Sequence, residues 1–384
     1  MKNIWYIFFG IISIGVLLLF SFGYETNNPI QVNSNNEYEK SLIVFDEQID
    51  RKDIYLIILD EYAGKETLQK EFGYSNEKFY SELRERGFFL PEINHSNYPF
   101  TKLSIPSILN MHYIDFLSNK TEDVSKYDSA IKSSLQKNLV MQNLKNNGYE
   151  IFTFFTGGGA IGADSLVTKK FCGEFFYAEH INITIKKIVP FFENQYDPNF
   201  KRERIECIFS IIPQINENSK PVFVYAHVLL PHDPYVFDSN GNHIQIKEIL
   251  DVDTEKKLYL EQLEYVNKKI IEIIDKIQKN SQNQPIIIIL SDHGERIGID
   301  WQNPSQDMII QSFNNFNAYY FPEKNISQES ISPVNSFRLL FNEYFETHFE
   351  ILEEKNYWAQ TDEYPYDFID VTHFVKTIKS DKED

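Results

Sequence analysis

Three short stretches, far apart in the chain, put acids and imidazoles where a divalent ion could be held: LDEY with Asp60 and Glu61, HVLLPHDPY with His227 and His232, and SDHGE with Asp292 and His293. Carboxylate oxygen together with imidazole nitrogen suits Zn²⁺ or Mn²⁺. Each pair alone has an ordinary explanation, because an acid after a strand often caps a helix and a lone histidine is often satisfied in a core. Three such pairs at once point to a shared cation. A cation held this way lowers the pKa of a nearby hydroxyl and offsets charge building on a transferred phosphoryl or sulfuryl group. The hydroxyls that could serve it lie in SNYPFTKLSIPSILN, residues 96–110, among them Thr101 and Ser104.

The elements that would position these residues are legible as apolar runs. IYLIIL (54–59) ends at Asp60, PVFVYAHVLL (221–230) contains His227, and PIIIIL (285–290) leads into Ser291 and Asp292. Continuous β-branched runs of this length predict strands buried on both faces of a parallel sheet, and EIFTFF (150–155) is a fourth. Between the last two strands, Leu260, Leu263, Val266, Ile270, Ile273, Ile274 and Ile277 recur at helical spacing, predicting a helix over about 255–278. Helical patterns also cover 76–87 and 133–147. Strands alternating with helices predict an α/β class with a mostly parallel sheet, whose chemistry gathers beyond the carboxyl ends of its strands.

From Ile4 to Phe22 the chain carries no charge, long enough to cross a bilayer as a helix of about 20 residues. This predicts a transmembrane anchor at 1–24, a spacer at 25–52 and a catalytic domain at 53–384. Lys2 ahead of the span orients the domain to the extracytoplasmic side of the cytoplasmic (inner) membrane. The formal net charge of −19 argues against a nucleic-acid partner, which needs clustered Lys and Arg. The two cysteines, Cys172 and Cys207, have no CxxC spacing; one disulfide or two free thiols are both open.

In this order the motifs resemble the alkaline phosphatase-like superfamily, which holds sulfatases, phosphodiesterases, lipoteichoic acid synthases and lipid A phosphoethanolamine transferases. SDHGE is the most specific element of the resemblance, which spans roughly 53–345 as an order of motifs. It implies a three-layer sandwich and at least one divalent ion. In the phosphoethanolamine transferases the nucleophilic threonine stands three residues before a Ser-x-Pro, and TKLSIP puts Thr101 there. Their H-x4-H-x-P-x-Y segment is matched by His227 to Tyr235, with Asp233 in place of glycine. Carried over, the metal ligands are Asp60 or Glu61, Thr101, Asp292 and His293, with Asp60 ranked ahead. Two departures stand out. Ile108 occupies the position where a formylglycine signature requires arginine, and GERIGIDWQNPSQD lacks the further histidine of two-zinc transferases.

The expected chemistry is attack by Thr101 on phosphorus, giving a phosphothreonine that an acceptor hydroxyl resolves, with His227 and His232 contacting nonbridging oxygens or protonating a leaving oxygen. The expected substrates are a membrane lipid and an envelope glycan or lipid. Lys102 and Arg296 read as solvated surface charge, Ser104 as a helix cap, and Gly157, Gly158, Gly159 and Gly162 as a loop bordering the cleft. Two other readings are a phosphate- or sulfate-ester hydrolase using the same residues, and a non-catalytic envelope scaffold whose tail, NYWAQTDEYPYDF (356–368), binds a partner.

Overall fold

The computed structural model describes residues 42–46, 48–117, 124–154, 165–172, 198–215, 220–246, 250–359 and 366–376. Its main elements run β1 (Ile54–Leu59), α1 (Lys65–Phe72), α2 (Glu77–Glu85), α3 (Thr101–Asn110), α4 (Val124–Gln136), α5 (Leu139–Asn146), β2 (Glu150–Phe154), β3 (Lys169–Phe171), α6 (Pro198–Ile211), β4 (Val222–Val228), α7 (Val252–Asn280), β5 (Ile286–Ser291), α8 (Gln306–Phe313), β6 (Asn317–Tyr320), α9 (Ser336–Phe345), β7 (Tyr357–Ala359), β8 (Phe368–Asp370) and α10 (Thr372–Lys376).

Strands β1 to β6 form one sheet in the order β3-β2-β4-β1-β5-β6. All pairs are parallel except β5 with β6. The uniform apolar character of β1 has a direct cause. Tyr55, Ile57 and Leu59 enter the core on one face of the sheet, while Ile54, Leu56 and Ile58 enter a second core on the other. The first core is closed by the apolar stripe of α7, with Leu263, Val266, Ile270, Ile273, Ile274 and Ile277. The second is closed by α3, α5 and α9 through Ile108, Leu109, Val140, Leu144, Phe337 and Phe341. Helices on both faces make the fold an α/β three-layer arrangement with a mostly parallel sheet. Each fully buried aliphatic side chain contributes about 1.5–3 kcal/mol to holding the layers together.

Register then decides where the chemistry falls. Leu59 pairs with Val228 on one side and with Ser291 on the other, so the carboxyl ends of β1, β4 and β5 are level. Asp60, His227 and Asp292 meet at that rim.

Several expectations need adjustment. The helical pattern over 133–147 falls on two helices, broken at Asn138, whose side chain accepts a hydrogen bond from the Met141 N–H at the start of α5. Strand β6 is only four residues long and had no sequence signal of its own. In the described part of the aromatic tail, Tyr357 and Trp358 are not free to serve as a binding arm: they are buried in β7, which pairs with β8. Cys172 and Cys207 form a disulfide that ties the end of β3 to α6. The anchor span at 1–24 and the glycines at 157–159 and 162 lie outside the described residues. Among the described residues no helix is long and apolar enough to cross a membrane.

Candidate active site

Five side chains converge beyond the carboxyl ends of β1, β4 and β5. The Thr101 hydroxyl donates to Asp292 Oδ2 at 2.6 Å and lies 3.3 Å from His293 Nε2. His293 Nε2 is 3.6 Å from Asp60 Oδ1 and 3.5 Å from Asp292 Oδ2. His227 Nε2 is 3.5 Å from Asp60 Oδ2 and 3.8 Å from Asp292 Oδ2. Apart from the Thr101–Asp292 bond, these spacings are not those of good hydrogen bonds. They match the edge of a tetrahedron of donors around an ion with bonds of about 2.0–2.2 Å, which is about 3.4 Å. Asp60 Oδ1 and both ring nitrogens of His227 are buried without a hydrogen-bond partner, a costly state for polar atoms unless an ion completes the set. The residues therefore fit a divalent cation, with Asp60, His227 and Asp292 offering donor atoms within 4.8 Å of one another.

Local backbone chemistry aims each of these groups. Asp292 Oδ1 accepts the N–H groups of Glu61 and His293, at 3.1 and 3.0 Å, which leaves Oδ2 turned toward Thr101. His293 Nδ1 donates to the Gly294 carbonyl at 2.8 Å, which fixes the tautomer and leaves the Nε2 lone pair facing the carboxylates. The glycine of SDHGE is required by close approach: a Cβ at Gly294 would lie 2.2 Å from the Gln311 carbonyl oxygen. Thr101 is the first residue of α3, so the positive end of the helix dipole lies at its hydroxyl.

The sequence ranks Asp60 ahead of Glu61 without excluding either, and in the structure the two acids face different clusters. Glu61 adopts a left-handed backbone conformation, φ 62°, which turns its side chain into a second cluster with His232 and Asp233. Arg296 fills that cluster. Its Nε donates to Glu61 Oε1 at 3.1 Å and its Nη2 lies 3.5 Å from Glu61 Oε2 and 3.1 Å from His232 Nε2. Reading Arg296 as solvated surface charge is thus overturned: its side chain is only 21% exposed. No spacing rule marks an arginine three residues past the histidine as an ion-pair partner for an acid 235 residues away.

The electrostatics follow from burial and pairing. Burial would raise the Asp60 pKa, but the imidazoles of His232, His227 and His293 outweigh it and hold the carboxyl well below the usual range. Glu61 is likewise lowered, chiefly by Arg296 acting against burial. Burial keeps His293 below its ordinary value despite Asp292, which agrees with a neutral, lone-pair-bearing Nε2. His227 is raised, because Asp60 and Asp292 overcome its burial. At His232, Asp60 and Glu61 overcome burial and push the pKa up to about 10. An arginine N–H at 3.1 Å nevertheless needs a lone pair on Nε2, and Nδ1 already faces the Asp233 carbonyl at 2.5 Å. With Arg296 in place, this contact geometry assigns His232 the neutral tautomer with its proton on Nδ1.

Three supporting residues had no sequence signal or were misassigned. Lys201 on α6 is buried behind the His232 loop, donates to the carbonyls of His232 and Pro234, and is pulled down to about 8 by desolvation. Glu295 is fully buried and accepts from the Ile297 N–H and from Gln311 Nε2, and burial pushes its pKa up to about 8. Ser104 does not cap α3; its hydroxyl donates to the Tyr98 carbonyl at 3.0 Å and pins the helix from below.

The second cluster, through Glu61, Asp233 and Arg296, lines a cleft of about 470 Å³ together with Phe100, Tyr235, Glu255 and Trp301. Its wall is an aromatic stack: Phe100 against Trp301 at 4.8 Å, and Trp301 against Trp358 at 5.0 Å.

Comparison with known proteins agrees with this geometry. The family model described as Sulfatase matches residues 52–361. No curated protein sequence matches the chain. Among solved structures, the C-terminal periplasmic domain of EcEptC from Escherichia coli superposes with a TM-score of 0.52 at 11% identity, covering 86% of this chain and 97% of that one. Its complex with Zn gives 0.53 at 11% identity, covering 86% and 96%. BT1596, a 2-O GAG sulfatase, gives 0.50 at 10% identity, covering 81% and 78%. At such identities the likeness is one of fold.

Proposed function

The chain belongs to the sulfatase family, within the alkaline phosphatase-like superfamily, and on that premise we propose that it is a membrane-anchored, extracytoplasmic, metal-dependent transferase. It moves a phospho-substituent from a lipid donor to an envelope glycan or lipid through a phosphothreonine at Thr101. The observation that carries this reading is the convergence of the Thr101 hydroxyl with Asp60, His227, Asp292 and His293 at ion-coordinating spacings.

Asp60, His227, Asp292 and His293 would hold the divalent ion, Zn²⁺ or Mn²⁺ by donor type, with the Thr101 oxygen beside it. When bound, the ion makes the alkoxide accessible near neutral pH and screens the anionic substrate from the surrounding carboxylates. Asp292 Oδ2 holds the Thr101 proton, so the oxygen lone pairs face the incoming phosphorus. Attack forms the Oγ1–P bond and breaks the P–O bond to the donor alcohol; the Thr101 proton leaves through Asp292 Oδ2 to solvent, and the departing alkoxide takes up one proton from solvent. His232, with 26% of its side chain exposed, has both ring nitrogens engaged, by Arg296 and by the Asp233 carbonyl, and so positions Arg296 beside the cleft. The helix dipole of α3 stabilises the charge added to Thr101.

The cleft supports a transferred group that carries an amine. Glu255 and Asp233 face it, acids that attract an amine by charge, while Arg296 in the same lining suits the phosphate. Phosphoethanolamine therefore fits better than phosphoglycerol. The Cys172–Cys207 disulfide supports an oxidising compartment, and the apolar run at 4–22 supports an anchor that keeps the domain at its lipid donor. Ester hydrolysis is the second reading, favoured by the likeness to a sulfatase; Ile108 argues against formylglycine within it. A scaffold role loses support where its tail is described, since Tyr357 and Trp358 are buried in the fold.

Mass spectrometry after incubation with phosphatidylethanolamine vesicles tests the reading. A phosphoethanolamine adduct on Thr101 is expected, absent in Thr101→Ala. Turnover of a sulfate ester with no adduct on either protein would replace transfer by hydrolysis.

A further inference from the structure

The structure assigns Arg296 a role that no motif predicts: we propose that its guanidinium is the resident cation of the second cluster, occupying the place a second divalent ion would take. The proposal rests on the metal-centre reading above. It makes the site a one-metal, one-arginine centre.

Two donor clusters stand side by side at the same sheet rim. Asp60, His227 and Asp292 form one, and Glu61, His232 and Asp233 form the other, each bringing three potential ligand atoms within 4.8 Å. By donor type alone both could hold an ion. They differ in what already lies among the donors. In the first, polar atoms are buried and unsatisfied. In the second, Arg296 forks across both Glu61 oxygens and reaches His232 Nε2. The nitrogen lone pair that would bind a metal is taken by an arginine N–H, and so is the carboxylate.

The guanidinium is held there by more than its charge. Its central carbon, Cζ, lies over the Phe100 ring, 5.5 Å from the centroid, and Phe100 immediately precedes Thr101. The following residue, Ile297, is anchored through its N–H by the buried Glu295 carboxyl, which Gln311 holds from the far side. An arginine is always charged and presents N–H donors in a fixed fork, so it can neutralise Glu61 permanently while offering its remaining edge to a nonbridging oxygen in the cleft. A divalent ion there would have to displace it.

The test is the ion count of the full-length, detergent-solubilised chain, stripped with chelator, reloaded with Zn²⁺, desalted and analysed by elemental mass spectrometry. Wild type is expected to hold about one ion and Arg296→Ala about two, by the ligand sets above. Arg296→Lys, which keeps a cation in place, is expected to stay at about one. The ion gained in Arg296→Ala should be lost again in Arg296→Ala/Glu61→Gln. Far-UV circular dichroism and a thermal melt establish that each variant is folded.

A folded Arg296→Ala that stays at the wild-type count overturns the proposal, as does a wild-type protein holding an ion that Glu61→Gln removes. A gained ion that survives Glu61→Gln also overturns it, because that ion lies elsewhere. Asp292→Asn separates this outcome from the function reading. A wild-type ion that survives Asp292→Asn overturns the metal centre at Thr101, while the role of Arg296 still stands or falls on the ion gained in Arg296→Ala.

Discussion

The two clusters at the sheet rim use nearly the same residue types to opposite ends. The first gathers two carboxylates, two imidazoles and a hydroxyl, with Asp60, Asp292 and His293 at most 5% exposed, and leaves Asp60 Oδ1 and the His227 nitrogens without partners. The second gathers two carboxylates and one imidazole, is partly open, and has its Glu61 already paired with Arg296. Composition does not distinguish them; satisfaction does. A buried donor set left incomplete favours an added ion, whereas one completed by a protein cation has no such demand.

The largest effect tests the first cluster directly. Thr101→Ala should lower turnover by about 10⁴-fold while leaving the bound ion in place, since His293, Asp60, His227 and Asp292 remain. Elemental analysis beside single-turnover kinetics reads both, and loss of the ion in this variant would show that the hydroxyl is structural to the centre. His232→Ala sharpens the contrast. It should cost about 10–100-fold in activity without stripping the ion, as expected for a group beside the centre. If this variant also loses the ion, the two clusters are one site and the comparison fails.

Smaller effects probe the frame that holds the clusters apart. Gly294→Ala should destabilise the protein by about 1–3 kcal/mol through overpacking against the Gln311 carbonyl, measured as a drop in chemical-denaturation midpoint. Glu295 supplies a pH signature. Its folded pKa is raised to about 8 from an ordinary 4.5, so between these values the native state holds a proton that the unfolded chain has released. The stabilisation is therefore full below 4.5 and is lost as pH rises through 8. The slope from this group is at most about 1.4 kcal/mol per pH unit. Glu295→Gln should flatten the decline of stability over that window in metal-free protein. Identical wild-type and variant pH profiles would mean that Glu295 is not protonated in the fold.

The strand readings came through because burial on both faces demands uninterrupted apolar residues, and the shortness and β-branched content of IYLIIL and PIIIIL favour strand over helix. Chemistry-bearing residues next to those runs were legible for the same reason: a parallel sheet places everything that follows a strand at one rim. Thr101, Asp292 and His293 could be named from motif spacing and resemblance, and they meet. Less was readable wherever a contact depends on backbone turns or distant packing. Ser104 looks like a cap but bonds Tyr98, Trp358 looks like part of an arm but is stacked against Trp301, and Lys201 gives no signal at all.

Asp60 and Glu61 mark the boundary between the two kinds of knowledge. Residue types and their order were enough to say that acids, imidazoles and a threonine would share one rim of a parallel sheet, because apolar periodicity is written locally. Which acid faces the threonine and which faces an arginine was settled only on folding. Neighbouring side chains leave a strand in opposite directions, and the left-handed turn at Glu61 sends it to Arg296, a partner that sequence distance conceals.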